Sequence, residues 1–208
     1  MKNNRGRLWI VTGLLLLAAA LCLTGYNLCD SRRAGQTARQ TVGVLRRSLP
    51  AASQTPHGSG AERLPELPDY VLHPDMEMPT QTVDGTEYIG ILSIPALELE
   101  LPVISRWSDS GLRLAPCRYS GSAYRDDMVI AGHNYVTHFG GLKRLSAGDT
   151  VTFTDMRGNI FSYTVAELET LRPFEVEQMQ SGDWDLTLFT CTTDSRSRVT
   201  VRCVRNGA

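Results

Sequence analysis

Three residues with reactive side chains each adjoin a short apolar stretch that is typical of a buried strand. Cys191 ends a stretch of leucine, phenylalanine and threonine, His133 follows Met128–Gly132, and Arg198 stands directly before Val199–Val204. A thiol can act as a nucleophile, an imidazole can transfer a proton, and a guanidinium can stabilise an oxyanion. Functional groups are often placed where a strand passes into a loop. The three side chains could therefore meet at one end of a barrel or sheet and carry out nucleophilic catalysis.

Each of these residues also has a purely structural interpretation. A free cysteine such as Cys191 is more often a small buried hydrophobic residue than a nucleophile. A single histidine such as His133 is more often a polar surface residue. The positions along the chain leave both interpretations open.

The amino-acid sequence around these residues resembles that of the sortases, the cysteine transpeptidases of Gram-positive cell surfaces. Thr187-Leu188-Phe189-Thr190-Cys191 resembles the TLxTC signature of that family, and Ala131-Gly132-His133 resembles the segment around its histidine. Arg198 opens the last strand as the arginine of the family does. The resemblance covers roughly residues 87–205. It implies an all-β fold, namely an eight-stranded sortase-type β-barrel with short helices, preceded by an N-terminal transmembrane helix and a linker.

The resemblance also implies a mechanism. Cys191 would be the nucleophile that attacks a peptide carbonyl in a sorting signal of the LPxTG type and forms a thioacyl enzyme. His133 would be the acid/base, and Arg198 would stabilise the oxyanion or hold substrate carbonyls. Thr190 would contact the substrate. Which protonation state of the thiol and imidazole pair dominates stays open.

The partners implied are surface proteins with a C-terminal sorting signal and an amine acceptor, from either a cell-wall precursor or a pilin lysine. Pilin-building sortases often carry a lid with an Asp-Pro-aromatic anchor, which residues 73–76 match poorly, so wall anchoring is favoured over pilin polymerisation. Two other classes remain as alternatives: a membrane-tethered cysteine hydrolase without transfer, and a catalytically silent binding barrel. The intact Cys191, His133 and Arg198 argue against the silent barrel.

Other residues of the same types compete for these roles. His138 is the rival base, but the family pattern places the catalytic histidine directly after the glycine that ends the strand. Arg196 and Arg202 compete with Arg198, and Arg202 lies four residues into the strand, away from its end. Cys117 and Cys203 could pair in an oxidising exterior, although each is equally consistent with a buried small hydrophobic residue, which we favour.

Charge is distributed unevenly along the chain. Residues 1–50 carry eight basic side chains and one acidic one, a net charge of +7, whereas the remainder carries 13 basic and 21 acidic side chains, a net charge of −8. A nucleic-acid-binding protein would be expected to carry its positive charge on the folded domain. The acidic domain therefore argues against a nucleic-acid partner.

An uncharged segment near the N-terminus is long enough to cross a membrane. Leu8–Tyr26 contains nineteen residues, which span about 28 Å as a helix, close to the thickness of the hydrocarbon core. A cleaved signal peptide is the alternative, but the apolar stretch continues past the alanines that would form the cleavage site. We predict an uncleaved single-pass anchor with a cytoplasmic tail at residues 1–7. Basic residues on both sides of the span nearly balance, so the extracellular location of the domain follows mainly from the resemblance.

Residues 27–85 are predicted to join this anchor to the catalytic domain, which is predicted at residues 86–208. The first part, residues 27–47, lacks a long apolar stripe and is predicted to be a solvated basic stalk, partly helical, whose arginines could also contact lipid headgroups. Residues 48–60 are rich in proline, serine and glycine and have the composition of a flexible linker.

Short apolar stretches separated by turn signals predict an all-β barrel after residue 86. The eight predicted strands are Tyr88–Ile94, Leu99–Ile104, Cys117–Tyr119, Met128–His133, Thr150–Thr154, Ile160–Leu171, Asp185–Thr190 and Val199–Val204. Asp109–Leu114 and Gly141–Leu145 are predicted as short helices, and Met156–Asn159 as a hairpin turn. Because the five cysteines do not pair at zinc spacing and the acidic residues are scattered, no metal or cofactor is predicted.

Overall fold

The structure is a computed structural model that describes residues 3–50, 67–172, 184–192 and 194–207, together with residues 175, 179, 180 and 182. The helices are α1 (Asn3–Ser48), α2 (Asp69–Leu72) and α3 (Asp109–Leu114), and Pro95–Leu97 and Phe139–Arg144 form 3-10 turns. The strands are β1 (Gln81–Val83), β2 (Thr86–Ile94), β3 (Leu99–Ile104), β4 (Cys117–Ser120), β5 (Met128–Ala131), β6 (Thr150–Asp155), β7 (Ile160–Leu171), β8 (Leu186–Cys191) and β9 (Arg198–Arg205).

The strands close into a barrel because β6 pairs with both β7 and β2. In the described part of the chain the strand order is β1-β2-β3-β4-β5-β8-β9-β7-β6, and β6, the last strand of the series, also pairs with β2, which leaves β1 outside the closed ring. Strands β2 to β9 thus form a closed eight-stranded barrel. Most neighbours are antiparallel, whereas β5 and β8 run parallel, as do β3 and β4. A parallel pair brings the ends of its two strands to the same rim, which matters for the site below.

All eight predicted strands are confirmed, and the ninth, β1, was missed. It forms a hairpin with β2 through Asp84 and Gly85, whose φ angles are 48° and 77°. Two consecutive residues of positive φ are the mark of the tight turn that joins paired strands, and Asp-Gly is a preferred sequence for it. The predicted turn at Met156–Asn159 is confirmed. The Asp155 carboxylate holds it by accepting hydrogen bonds from the amides of Arg157 (2.8 Å) and Asn159 (2.9 Å).

The alternation of side chains along each strand fills the barrel and leaves the catalytic candidates outside it. Along β8, Leu186 and Leu188 belong to the main core, whereas Phe189 packs in a separate cluster on the outer face. Successive side chains of a strand point to opposite faces. Cys191 therefore shares the outer face with Phe189.

The solvated stalk predicted over residues 27–47 is wrong, because this segment is the second half of α1 and is docked on the barrel. Ala34, Ala38, Val42 and Leu45 recur at helical spacing and are buried. Val42 and Leu45 form part of a second core with residues of β2, β3 and β4. The stripe was missed because its first members are alanines, which allow the helix to approach closely but contribute little hydrophobicity to a sequence pattern.

The remaining predictions from the sequence have mixed outcomes. The helix Asp109–Leu114 is confirmed, and the predicted helix Gly141–Leu145 is a 3-10 turn that begins two residues earlier, at Phe139. The predicted linker lies mainly in residues 51–66, which are outside the described residues. The domain boundaries stay predictions.

Candidate active site

The pairing of β5 with β8 sets His133 level with Cys191. Ala131 is the register partner of Phe189, and the Gly132 amide donates to the Phe189 carbonyl oxygen over 3.0 Å. His133 lies two positions after Ala131, and Cys191 lies two positions after Phe189. Neighbouring strands are about 4.8 Å apart. Both residues therefore lie at the same rim of the barrel, Cys191 at the end of β8 and His133 two residues beyond the end of the adjacent strand β5.

The pairing of β8 with β9 sets Arg198 directly opposite Cys191. The two residues are register partners in this antiparallel pair. Side chains of such partners lie on the same face of the sheet. The Arg198 Nη1 donates to the Ser197 carbonyl oxygen over 3.2 Å, so one of its donors is used by the turn that precedes it. The predicted trio thus lies at one rim, at or just beyond the ends of the adjacent strands β5, β8 and β9.

A cavity of about 410 Å³ opens beside Cys191 and Arg198 on this face. Trp107, Tyr119 and Phe189 form a row of edge-to-face aromatic rings along it, with centroids 6.2 Å and 5.5 Å apart. Apolar walls with a few polar groups are typical of a binding cleft. The cavity is therefore large and apolar enough to hold an apolar side chain next to the thiol.

Thr190, for which a contact with the substrate is predicted, lies beside this cavity. Thr190 lines it, but strand alternation places its side chain with Leu188 on the inner face. The hydroxyl is buried and has no hydrogen-bond partner among the described residues. A substrate in the cavity would therefore meet the main chain of Thr190 rather than its hydroxyl.

His133 is half-buried and is held by a loop that folds back on the barrel. The Phe139 amide donates to the His133 carbonyl oxygen (3.1 Å), and the Phe139 ring packs against Gly132, where a Cβ atom would lie 2.3 Å from the ring. Only glycine fits that contact, which explains the glycine before the histidine. Burial lowers the pKa of His133, Arg113 lowers it further, and Asp30 opposes both. The neutral imidazole is therefore favoured at neutral pH.

Tyr135 links His133 to helix α1. Its ring stacks on the imidazole with centroids 3.8 Å apart, and its hydroxyl donates a hydrogen bond to the Asp30 carboxylate. Burial and this bond raise the pKa of Tyr135 to about 12, so the phenol stays protonated. Two residues later, the Thr137 hydroxyl donates to the Ser31 carbonyl oxygen over 2.8 Å. The sequence did not predict this contact, since it joins residues more than one hundred positions apart.

The rival His138 is completely buried. Burial lowers its pKa to about 4, with a further lowering from His133. The backbone of Ala34 lies near the ring and opposes this lowering of the pKa, but neither ring nitrogen has a hydrogen-bond partner of good geometry among the described residues. A completely buried imidazole cannot exchange protons with a substrate, whereas His133 is partly exposed, and this difference favours His133 as the acid/base.

The rival arginines have other places in the structure. Arg202 is buried on the same face as Arg198, as strand alternation predicts, and its guanidinium bonds the Glu169 carboxylate at 2.6 Å and the Met179 carbonyl oxygen at 2.9 Å. Because Met179 lines the cavity, this hydrogen bond from Arg202 holds one part of the cavity wall in place. Arg196 is exposed in the turn after Cys191, where its amide donates to Asp194.

Cys117 and Cys203 are free thiols in different core clusters. Burial raises their pKa values to about 11 and about 12. Both thiols are therefore protonated at neutral pH and remote from solvent. Cys191 is partly exposed at the cavity and is the cysteine of the barrel that a substrate can reach.

Together the three side chains have the parts of an acyl-transfer site. The thiol can form an acyl intermediate, the neutral imidazole can take its proton and return it to a leaving group, and the guanidinium can stabilise negative charge on the carbonyl oxygen.

Comparison with known proteins identifies the same fold and chemistry. The model of the sortase domain family matches residues 92–206. Sortase A of Bacillus anthracis is 23% identical over 197 residues, which cover 91% of this chain and 90% of that protein. The crystal structure of sortase C1 from Streptococcus agalactiae is similar with a TM-score of 0.54 and 26% identity, covering 61% of this chain and 72% of its own. A Clostridium perfringens sortase D5 transpeptidase shares the fold, with a TM-score of 0.59 and 16% identity over 83% of this chain and 99% of that one.

Proposed function

This chain belongs to the sortase family of cysteine transpeptidases, and we propose that Cys191, His133 and Arg198 are the residues that carry out its transpeptidation. Cys191 is the nucleophile, His133 the acid/base and Arg198 the group that stabilises the oxyanion and holds the substrate. The observation that supports the assignment is the register of β5, β8 and β9, in which Ala131 pairs with Phe189 and Cys191 pairs with Arg198.

The first half of the reaction breaks a peptide bond of the sorting signal. The Cys191 thiol transfers its proton to the neutral imidazole of His133 as the sulfur attacks the carbonyl carbon. The tetrahedral intermediate carries its negative charge on the carbonyl oxygen, toward which the Arg198 guanidinium donates. Collapse of the intermediate expels the amine, which takes the proton from His133. The product is a thioacyl enzyme.

The second half joins the surface protein to a new amine. The acceptor amine attacks the thioester carbonyl and gives its proton to His133, and the sulfur departs and recovers that proton. The neutral state of His133 in the free protein suits this sequence, because the imidazole begins both halves as a base. The row formed by Trp107, Tyr119 and Phe189 would contact an apolar residue of the sorting motif.

The cellular setting proposed is a single-pass membrane protein with the barrel outside the cell. The described part of the chain contains one helix, α1, that is long and apolar enough to cross a membrane. The acceptor proposed is an amine of a cell-wall precursor. A pilin lysine is the alternative acceptor, and water is the acceptor if the protein is a hydrolase.

The test is a transfer reaction with the full chain in detergent micelles. It would be incubated with a library of pentapeptide motifs and, in parallel, with a wall-type amine, a pilin-type lysine peptide or neither, and products would be identified by mass. We expect an amine adduct that depends on Cys191 and forms preferentially with the wall-type amine. Adducts only with the lysine peptide would indicate pilin polymerisation, and cleavage without any adduct would indicate a hydrolase.

A further inference from the structure

Helix α1 passes without interruption from its apolar segment into the part that is docked on the barrel. Residues 6–29 of the helix are exposed, and its first buried side chain is Ala34. The helix therefore fixes the height of each part of the barrel above the membrane, because a continuous helix advances about 1.5 Å per residue.

The order of contacts along α1 shows which rim of the barrel is nearest to the apolar segment. Asp30 accepts from Tyr135, Ser31 accepts from Thr137, and Gly35 packs so closely on Thr137 that a Cβ atom would lie 2.7 Å from its methyl group. These contacts begin four residues after Tyr26, which ends the predicted span. The loop that follows His133 thus lies beside the part of α1 that directly follows the predicted membrane span.

The far end of the docked segment contacts a different part of the barrel. Arg46 forms an ion pair with Glu100, and Pro50 lies 3.9 Å from the position of a Cβ atom on Gly158, in the turn between β6 and β7. From Asp30 to Ser48 the helix advances about 27 Å. The β6–β7 turn is therefore farther from the apolar segment than the His133 loop by about that distance.

We propose that the loop Asn134–Thr137 and the C-terminal end of α3 form a membrane-facing rim that rests on the headgroup layer of the bilayer in which α1 is inserted. The inference rests on the proposed membrane location of α1, and it does not depend on the assignment of the catalytic residues. The rim brings the cavity beside Cys191 close to the bilayer surface.

The side chains of this rim suit a lipid surface. Val136 is 77% exposed between two residues that are bonded to α1, and Leu114 is 40% exposed at the end of α3. Arg113 lies within electrostatic range of His133 and Tyr135. On α1, Arg32 and Arg33 are exposed in the turn that follows the contact with Tyr135. Apolar tips flanked by arginines are the composition of a surface that sits among lipid headgroups.

The consequence for the proposed reaction is a restriction on substrates. A cleavable segment presented within a few residues of the same membrane can enter a cavity at this rim. A segment held far above the surface must fold back to reach it.

The test places a fluorescent amino acid at position 136 or at position 160 of the full chain. Ile160 is the matched control, because it is an exposed apolar residue (64%) that begins β7 beside the distant turn. Incorporating a non-natural residue leaves the five native cysteines unmodified. Each protein would be reconstituted into vesicles of phosphatidylcholine and phosphatidylglycerol in equal parts, and into vesicles of phosphatidylcholine alone, with a quencher attached to the headgroups.

We expect several-fold stronger quenching at position 136 than at position 160 in both vesicles, because the continuous helix imposes the difference in height. Addition of the anionic lipid should strengthen quenching at position 136 further, since arginines flank it. Equal quenching at the two positions, stronger quenching at position 160, or a difference that vanishes in phosphatidylcholine alone would each overturn the proposal. Circular dichroism and transpeptidation by each labelled protein would confirm that the fold is intact.

Discussion

The ring of Tyr135 lies stacked on the imidazole of His133, with ring centroids 3.8 Å apart and planes inclined by 17°. The Tyr135 hydroxyl is in turn bonded to Asp30 of helix α1. The orientation of the proposed acid/base is thereby linked to the helix that carries the apolar segment. Docking of this helix adds a contact to the site that strands β5, β8 and β9 do not provide.

Two substitutions of Tyr135 distinguish the effect of its ring stacking on His133 from that of its hydrogen bond to Asp30. Tyr135→Leu removes the stacking, and since a stacked pair is worth about 0.5–1.5 kcal/mol, we expect kcat to fall by up to roughly tenfold with little change in KM. Tyr135→Phe keeps the ring and loses only the bond to Asp30, so its loss should be smaller. Ile160→Ala, at an exposed position beside the distant β6–β7 turn, is the control. An equal decrease in kcat in Tyr135→Leu and in Tyr135→Phe would mean that the hydroxyl, rather than the ring, positions His133.

The charges around His133 should change its pKa in opposite directions. Asp30→Asn removes a carboxylate that raises the pKa, so the pKa should fall further, whereas Arg113→Ala removes a cation that lowers it, so the pKa should rise. The measurement is a titration of the imidazole by nuclear magnetic resonance in each full-length variant. Arg39→Ala, at an exposed position farther along α1, should leave the pKa unchanged. Shifts of the same sign in Asp30→Asn and Arg113→Ala would contradict this electrostatic picture.

Acid should destabilise the barrel through His138. Its pKa is about 4 in the folded protein against 6.5 for an unperturbed imidazole, so the unfolded chain binds the proton more tightly. The contribution of His138 to the free energy of unfolding is then fully present above pH 6.5 and is lost as the pH falls toward 4. It amounts to about 3 kcal/mol in total. His138→Phe removes this contribution, and its free energy of unfolding in urea should depend less on pH between these values than that of the wild type.

The control for this experiment is His73→Phe, because His73 is exposed. It should retain the pH dependence of the wild type. A pH dependence in His138→Phe as steep as in the wild type would assign the acid sensitivity to another buried group.

The sequence predicted the barrel well because most of its strands are short apolar stretches bounded by turn residues. The order in which Cys191, His133 and Arg198 end or begin strands was also visible, and parallel pairing of β5 with β8 then determines which two ends meet. The strand β1 was missed although Asp84-Gly85 is a strong hairpin signal, because the three residues before it form too short a strand to stand out.

Local sequence patterns could not predict that α1 docks on the barrel. Its buried stripe begins with Ala34 and Ala38, and its polar contacts join Asp30 and Ser31 to residues of a loop that follows β5. Such contacts depend on the closed barrel presenting that loop beside the helix. Periodicity describes one element at a time and contains no information on which surface an element meets.

Cys191 should be the only cysteine of the barrel that turnover requires. Cys117→Ala and Cys203→Ala each remove a buried thiol that is protonated at neutral pH, so we expect a loss of roughly 1 kcal/mol in stability and retention of most activity. Cys191→Ala should abolish transpeptidation without lowering the melting temperature. Steady-state rates and thermal unfolding check both. A folded Cys117→Ala or Cys203→Ala protein without activity would require a different nucleophile.

Arg198 should contribute through the geometry of its guanidinium as well as through its charge. Arg198→Lys keeps the positive charge opposite Cys191 but replaces a planar fork of donors by a single ammonium group. Loss of one well-placed oxyanion donor typically lowers kcat by about 10²–10³, and we expect a decrease of that order in steady-state transpeptidation. Arg196→Lys, at the exposed position in the preceding turn, is the matched control and should behave like the wild type.

The same series tests whether the three residues act as one unit. His133→Ala should reduce turnover at least as much as Arg198→Lys, and His138→Ala should reduce kcat only mildly, because its imidazole is sealed in the core. Combining His133→Ala with Cys191→Ala should add little to either change alone, since the members of a catalytic unit are strongly non-additive. Circular dichroism of each variant separates loss of chemistry from loss of fold. Near-normal rates for Arg198→Lys, or a folded His138→Ala protein that is inactive while His133→Ala turns over, would show that other residues carry out the reaction.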